Sequence, residues 1–334
     1  MLFRSTPTVD LYFLHGLRHL VSIRHGGTRK RPIWRIGPNC FFCNGAAVII
    51  RYARTQELRK LQALKPVRCA YVIDDDLAAL DTDDSLPADY RQRLLDFRTR
   101  TWRQIVDMCD WVVAPNPRIF HAYPGKQQKL LHPAMLLPDT AHHRSKKPSA
   151  RKGEIHLVFS GTRSHRTDLQ AIAPALSTVL ARHPRVSLTT FLGRHAPASL
   201  QGPNIHHHKP LSWRSYQRMQ QRSHFHVALM PMRNTAFNRA RSMNKILDAA
   251  AFGSAGLYPD LPNFREYVTD GKEGFLLPAE ESIWEQVLEQ LLQEPHRLQE
   301  LAAKNLALAR RIGCVEKQRD WWLQWLGLQH GKGN

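Results

Sequence analysis

Residues 227–278 read VALMPMRNTAFNRARSMNKILDAAAFGSAGLYPDLPNFREYVTDGKEGFLLP. An apolar strand, Val227 to Met230, runs into a polar, strongly basic loop; a helix follows, then a turn of small residues, a second short strand and an exit punctuated by glycine. Arg233, Arg239, Arg241 and Lys245 crowd into and just beyond the strand-to-helix loop. The first amides of a helix have no intrahelical acceptor, so this order of elements builds a place for an anion. Three residues past Lys245, Asp248 lies on the same helical face, placed to accept from a hydroxyl of whatever the cations hold.

The same rhythm spreads outward from this stretch. Upstream, strands are expected at Ile155 to Phe159 and Val186 to Leu192, with helices at Asp168 to Arg182 and Ser212 to Arg222. Between Pro138 and Gly153 the text becomes PDTAHHRSKKPSARKG, polar, basic and poor in apolar residues, which marks a linker. Before it come strands at Ala46 to Tyr52, Cys69 to Ile73, Trp111 to Ala114 and near Lys129 to His132, with helices at Thr55 to Leu64 and Tyr90 to Cys109. After Pro278 come helices at Ser282 to Glu294 and Pro295 to Ile312, then a tail helix bearing Trp321, Trp322 and Trp325. Alternation of strand and helix on both sides of a linker predicts an α/β chain of two doubly wound, Rossmann-like domains, residues 1–137 and 154–312 joined by 138–153, with ligands in a cleft at the strands' carboxyl ends. The first forty residues fit no strand-loop-helix pattern.

Composition narrows the function. The formal net charge is +20, and from Met1 to Arg68 thirteen Lys or Arg face only Asp10 and Glu57, so the partner of that stretch is expected to be anionic. Nucleic acid, an acidic membrane surface and a pyrophosphate-linked lipid acceptor all qualify, as does a plain solvated basic surface; nucleic acid is disfavoured because no zinc finger, ribonucleoprotein signature or basic zipper is present. No apolar run of eighteen residues occurs. His15, Arg18 and His19 interrupt the apolar patch from Leu11 to Leu20, against a signal peptide, and five scattered cysteines favour reduced thiols. A cytoplasmic chain, peripheral to the inner face of an anionic membrane, is the expected location.

Phe237, Asn238, Arg241, Ser242, Lys245 and Asp248, the small-residue turn Ala249 to Gly253, and Asn263, Phe264, Arg265, Glu266 together resemble the donor half of GT-B glycosyltransferases, in particular the retaining family 4; the likeness runs from about Val158 to Leu277. The resemblance implies the GT-B architecture, with residues 313–334 forming a helix that crosses back onto the first domain. It implies a donor-binding second domain, no cofactor and no metal, and a nucleotide sugar as co-substrate. In that family two carboxylates eight residues apart contact the donor sugar and the ribose. Here Asp248 occupies the second position, while the first is Ala240. The departure implies a variant in which Arg241, Ser242 and Lys245 take over more of the diphosphate. By the same resemblance Phe264 and Glu266 face the donor's base and sugar edge, although Glu266 also reads as a first-turn acid of a short helix.

Other groups carry chemistry. Gly161, Thr162 and Arg163 follow the strand Ile155 to Phe159: glycine lets backbone approach a ligand, arginine offers a fixed fork for phosphate, and Thr167 or Asp168 can cap the next helix. Asp74, Asp75 and Asp76 end a buried strand, where three carboxylates need cationic compensation; they bind acceptor hydroxyls, pair with Arg or Lys across the cleft, supply a base, or cap the following turn. His206 to His208 and the lone Cys40, Cys43 pair lack further ligands for a metal. The tail tryptophans have the spacing of a packed helix stripe. The expected activity is transfer of a sugar from a nucleotide-diphosphate sugar to a saccharide or lipid-linked saccharide acceptor, in cell-surface polysaccharide or glycoconjugate synthesis. Asp74, Asp75, Asp76 and Lys245 are its catalytic candidates. The alternative is a non-catalytic partner protein that binds a nucleotide or glycan.

Overall fold

A computed structural model describes residues 6–83, 86–137 and 153–328. The expected linker, 138–153, therefore lies almost wholly outside the described residues. The first sheet contains β1 (Val21–Ser22), β2 (Ile33–Arg35), β3 (Cys40–Cys43), β4 (Ala46–Ile50), β5 (Arg68–Val72), β6 (Trp111–Ala114) and β7 (Gln127–Leu130), in that order across the sheet. β4 to β7 run parallel, whereas β3 is antiparallel to both β2 and β4. The second sheet contains β8 (Ile155–Phe159), β9 (Val186–Thr190), β10 (Ile205–His207), β11 (Val227–Leu229), β12 (Ala255–Pro259) and β13 (Phe275–Leu277), all parallel in the order β10-β9-β8-β11-β12-β13. Strand order reverses between β8 and β11, the switch point outside which open parallel sheets bind ligands.

Alternation along the strands sorts side chains to the two faces. Ala46, Val48 and Ile50 of β4, with Ala70 and Val72 of β5, join a core cluster with Phe13, Leu17 and Trp322. Their neighbours Ala47, Ile49, Cys69, Tyr71 and Ile73 face the other way, onto Leu58, Leu61 and Leu94. The helices Thr55–Ala63, Ala88–Phe97 and Arg103–Met108 cover that second face, the last two joined by a π-helical turn, Arg98–Trp102. The first face is covered by residues 7–20, a run of short helical pieces, and by the C-terminal helix Val315–Trp325.

Trp322 is fully buried and its Nε1 donates to Tyr12 O at 2.7 Å, while its ring meets Phe13 edge-on at 5.0 Å. The C-terminal helix thus crosses back onto the first sheet; Trp322 and Trp325 pack in the core, with Trp321 half-buried against it, as their spacing implies. Among the described residues no helix is long and apolar enough to cross a membrane.

The stretch without a legible pattern becomes a helical run and a small meander. Asn44 and Gly45 join β3 to β4 with φ of 47° and 71°, the left-handed pair that a two-residue hairpin turn demands.

Candidate functional site

A cavity of about 760 Å³ opens between the carboxyl ends of the two sheets. The second half contributes the two loops that flank its switch point. After β8, Gly161 and Thr162 line the cavity; a Cβ on Gly161 would stand 2.9 Å from that of His165, so glycine is needed for the backbone to pass. After β11, Arg241, Ser242 and Lys245 line it, with Asp248 one turn further along the helix Asn244–Phe252. The first half contributes Arg51, Asp74 and Asp75. Parallel pairing of β4 with β5, Ile50 beside Val72, brings these strand-end residues together.

The charges form a connected network. Arg51 pairs with Asp75 through Nη2 and lies 3.3 Å from Asp74 through Nε. Thr8 donates to Asp74 Oδ2 at 3.0 Å. Across the cleft Arg241 Nη2 stands 3.7 Å from Asp75 Oδ1, the cation-to-carboxylate pairing expected for the acidic run. Arg241 Nη1 also donates to His165 Nε2 at 2.8 Å, and His165 Nδ1 meets Asp168 Oδ2 at 2.9 Å. One tautomer satisfies both neighbours: proton on Nδ1, lone pair on Nε2. Burial pushes the His165 pKa down to about 4, with Arg241 and Lys245 adding to the effect and Asp168 opposing it. Burial likewise raises the Asp74 carboxyl above the usual range, Arg51 opposing and Asp75 reinforcing. Asp248 is raised by burial against the pull of Lys245, 3.6 Å away, and of Tyr216 and Gln220.

Several expected site residues lie elsewhere. Asp76 turns from its neighbours: its Oδ1 accepts the amides of Ala78 and Ala79, capping the following turn, and it lines a separate cavity of about 210 Å³ with Arg118, His121 and Arg239. Arg163 is half-exposed and pairs with Asp89 of the first half, outside the residues that line the main cavity. Phe264 is fully buried, its ring stacked 5.8 Å from that of Tyr258, because an apolar side chain on this turn gains more from the core than from the cleft. Glu266 is exposed and also outside the lining.

Asp168 does not cap its helix, which starts at Arg166; besides His165 it accepts the amide of Arg233, tying the loop after β11 to the loop after β8. Asn263 holds the same loop through the carbonyls of Asn238 and Arg241, and Asn116 of the first half donates to those of Arg239 and Arg241. Of the four basic residues of the opening stretch, Arg241 and Lys245 reach the cavity and Arg233 and Arg239 do not. His207 is tied to Thr190 Oγ1 and Leu200 O, and Cys40 and Cys43 are buried in β3.

Ala240 is buried and, with Phe237, packs into the core cluster of the first half, so the position that carries an acid in the resembling family faces apolar side chains here. Sequence reading passed over Arg51, Tyr52, Trp213 and His165. Arg51 had a signal: it follows an apolar strand directly, as Asp74 follows the next one.

No protein-family model matches the chain, and no curated protein matches it. Solved structures do. HepE from Anabaena, in complex with UDP and glucose, is 12% identical, with a TM-score of 0.57 over 84% of this chain and 78% of its own. Sucrose-phosphate synthase from Thermosynechococcus elongatus gives 12%, a TM-score of 0.56, and 81% and 70%. TarM from S. aureus, in complex with Fondaparinux, alpha-GlcNAc-glycerol and UDP, gives 10% and a TM-score of 0.57 over 78% of this chain, which spans 51% of the TarM chain. At such identities the likeness is one of architecture: the chain has the GT-B fold, two α/β halves about a cleft.

Proposed function

We propose that the chain is a glycosyltransferase that moves a sugar from a nucleotide-diphosphate sugar to a saccharide or lipid-linked saccharide acceptor, in the synthesis of a cell-surface polysaccharide or glycoconjugate. The observation that carries this reading is the cavity itself. Arg241 and Lys245 of one half stand opposite Asp74 and Asp75 of the other, at the switch point of a GT-B fold whose solved relatives include UDP complexes.

In this reading Arg241, Lys245 and the Ser242 hydroxyl hold the diphosphate and stabilise the charge that grows on it as the glycosidic bond breaks. The backbone at Gly161 and Thr162 approaches the same group. Asp248 accepts from a ribose hydroxyl, and the pair Asp74 and Asp75 orients the acceptor, with the raised carboxyl of Asp74 suited to take its proton. Fixed cations and backbone amides supply the electrostatics, so neither cofactor nor metal is required and turnover should persist in chelator. Retention at the anomeric centre belongs to the same proposal and is read from the anomeric proton signal of the product. A place at the cytoplasmic face of an anionic membrane rests on the basic first 68 residues.

The test is a transfer assay over uridine, guanosine and thymidine diphosphate sugars. Lys245→Ala should cut turnover by about a hundredfold with an unchanged circular dichroism spectrum. Turnover near wild type in the variant would overturn these roles. A second reading, a non-catalytic nucleotide- or glycan-binding partner protein, is favoured by the apolar burial of Ala240, which removes the carboxylate position from the cleft. Thermal stabilisation by a nucleotide sugar, without product, would select it.

A further inference from the structure

The ten-residue helix Trp213–Arg222 has two working faces. Trp213 and Tyr216 line the cleft, and Gln220 donates to Asp248 Oδ1 at 3.0 Å. Arg214, Gln217, Arg218 and Gln221 occupy the neighbouring face, as a period of 3.6 places them. Together with Gln220, which thus reaches both faces, they line a second cavity of about 560 Å³ whose lining also includes His15, Arg18 and Leu136.

No carboxylate lines this cavity among the described residues. Asp10, which pairs with Arg18 of the lining, is buried and has both oxygens engaged, one by Arg18 Nη2 and one by Trp213 Nε1, each at 2.7 Å. Arg214 and Arg218 stand one helical turn apart, exposed, and neither has a carboxylate partner among the described residues. Like charges at this spacing weaken a helix.

With Arg18 neutralised by Asp10, the lining carries two uncompensated guanidiniums, the amide donor of Gln221 and that of Gln217, which also reaches His15 Nε2 at 3.3 Å. A phosphate ester, at roughly −1.5 to −2 as a monoester near neutral pH, matches that charge, and arginine forks match its oxygens. We propose that this cavity is a second anion site, built for the phosphate group of a phosphate ester and separated from the cleft by one helix. It does not depend on the transferase reading.

Such a group arrives either on a small molecule or on a lipid headgroup, and Leu136, 68% exposed at the rim, gives an acyl-bearing ligand an apolar edge. The experiment uses both probes on the full chain at low salt. Calorimetric titration with glycerol 3-phosphate reads the first, and co-sedimentation with phosphatidylcholine vesicles with and without phosphatidic acid reads the second.

The expected result is binding of at least one probe by the wild type, weakened by about tenfold or more in the double variant Arg214→Gln, Arg218→Gln and unchanged in Lys245→Ala. Gln221→Glu, which places a carboxylate in the lining, should weaken it as well. Binding of the soluble probe alone identifies a small phosphate ester, and binding of vesicles alone, lost in the same variants, identifies a lipid headgroup. No binding of either probe by the wild type, undiminished binding in the double variant and in Gln221→Glu, or loss in Lys245→Ala would each overturn the proposal.

Discussion

His165 shows how a single side chain ties the two cavity-bordering loops of the second half to the opposite half. Its ring accepts from Arg241, which reaches Asp75, and donates to Asp168, which holds the loop after β11. This arrangement needs the neutral ring. The pKa is pushed from 6.5 to about 4, so the stabilisation is complete above pH 6.5 and is lost as pH falls from there to about 4. The loss amounts to about 3 kcal/mol across that window. His165→Asn keeps a donor and an acceptor but no basic nitrogen. Urea midpoints measured from pH 7 to 4 should therefore fall more steeply in the wild type than in the variant, and parallel curves would show that the ring does not titrate as described. Single residues were unevenly legible. Arg241, Ser242, Lys245 and Asp248 line the cavity as expected, because a loop between a buried strand and a helix has one place to go in a parallel sheet. Phe264, Glu266 and Arg163 share that loop chemistry, but core packing, solvent and Asp89 claim them instead, and such competition depends on distances a sequence does not contain.

Elements were legible where they were long and periodic. The strand Trp111–Ala114 and the helix Pro295–Ile312 coincide with their expected bounds, and β8 does too. The first forty residues failed because their elements are too short to show a period: β1 has two residues, and the run 7–20 changes helical type three times. One signal was available and unused. Asn44-Gly45 between Cys40–Cys43 and Ala46–Ile50 is a hairpin signature, since only residues tolerant of positive φ close two antiparallel strands with the right twist. At Gly45, φ is 71°, and a Cβ there would stand 3.1 Å from Val67 Cγ2. Gly45→Ala should therefore cost about 1–2 kcal/mol, and an equilibrium denaturation curve of the variant measures it. A change below a few tenths of a kcal/mol would mean that the turn relaxes without cost.

At the scale of the whole molecule the two halves are joined by packing as well as by charge. The cluster that holds Phe13, Val48, Val72 and Trp322 continues without a break into Val158, Ala228, Met230, Ile246 and Ala250 of the second half. One face of each sheet therefore drains into a shared core; the other face of the second sheet keeps a cluster of its own, while that of the first sheet takes in Phe237 and Ala240 of the second half. Sequence rhythm gave two sheets and a linker composition but no sign of this continuity, because the residues concerned are apolar strand and helix positions that read the same whether they bury within a half or between halves. The C-terminal helix is where the coupling is most exposed to test. Trp322 is fully buried against Tyr12 and Phe13, far from β8 and β11 in sequence, and replacing it with alanine removes a large side chain that the core cannot refill. Trp322→Ala should destabilise by about 3–5 kcal/mol. If the core is shared, that loss reaches both sheets. Amide exchange in moderate urea should then show β4 and β5 of the first half and β8 and β11 of the second opening at a common, lowered midpoint. If only β4 and β5 lose protection while β8 and β11 keep the wild-type midpoint, the halves unfold separately and the shared cluster does not couple them.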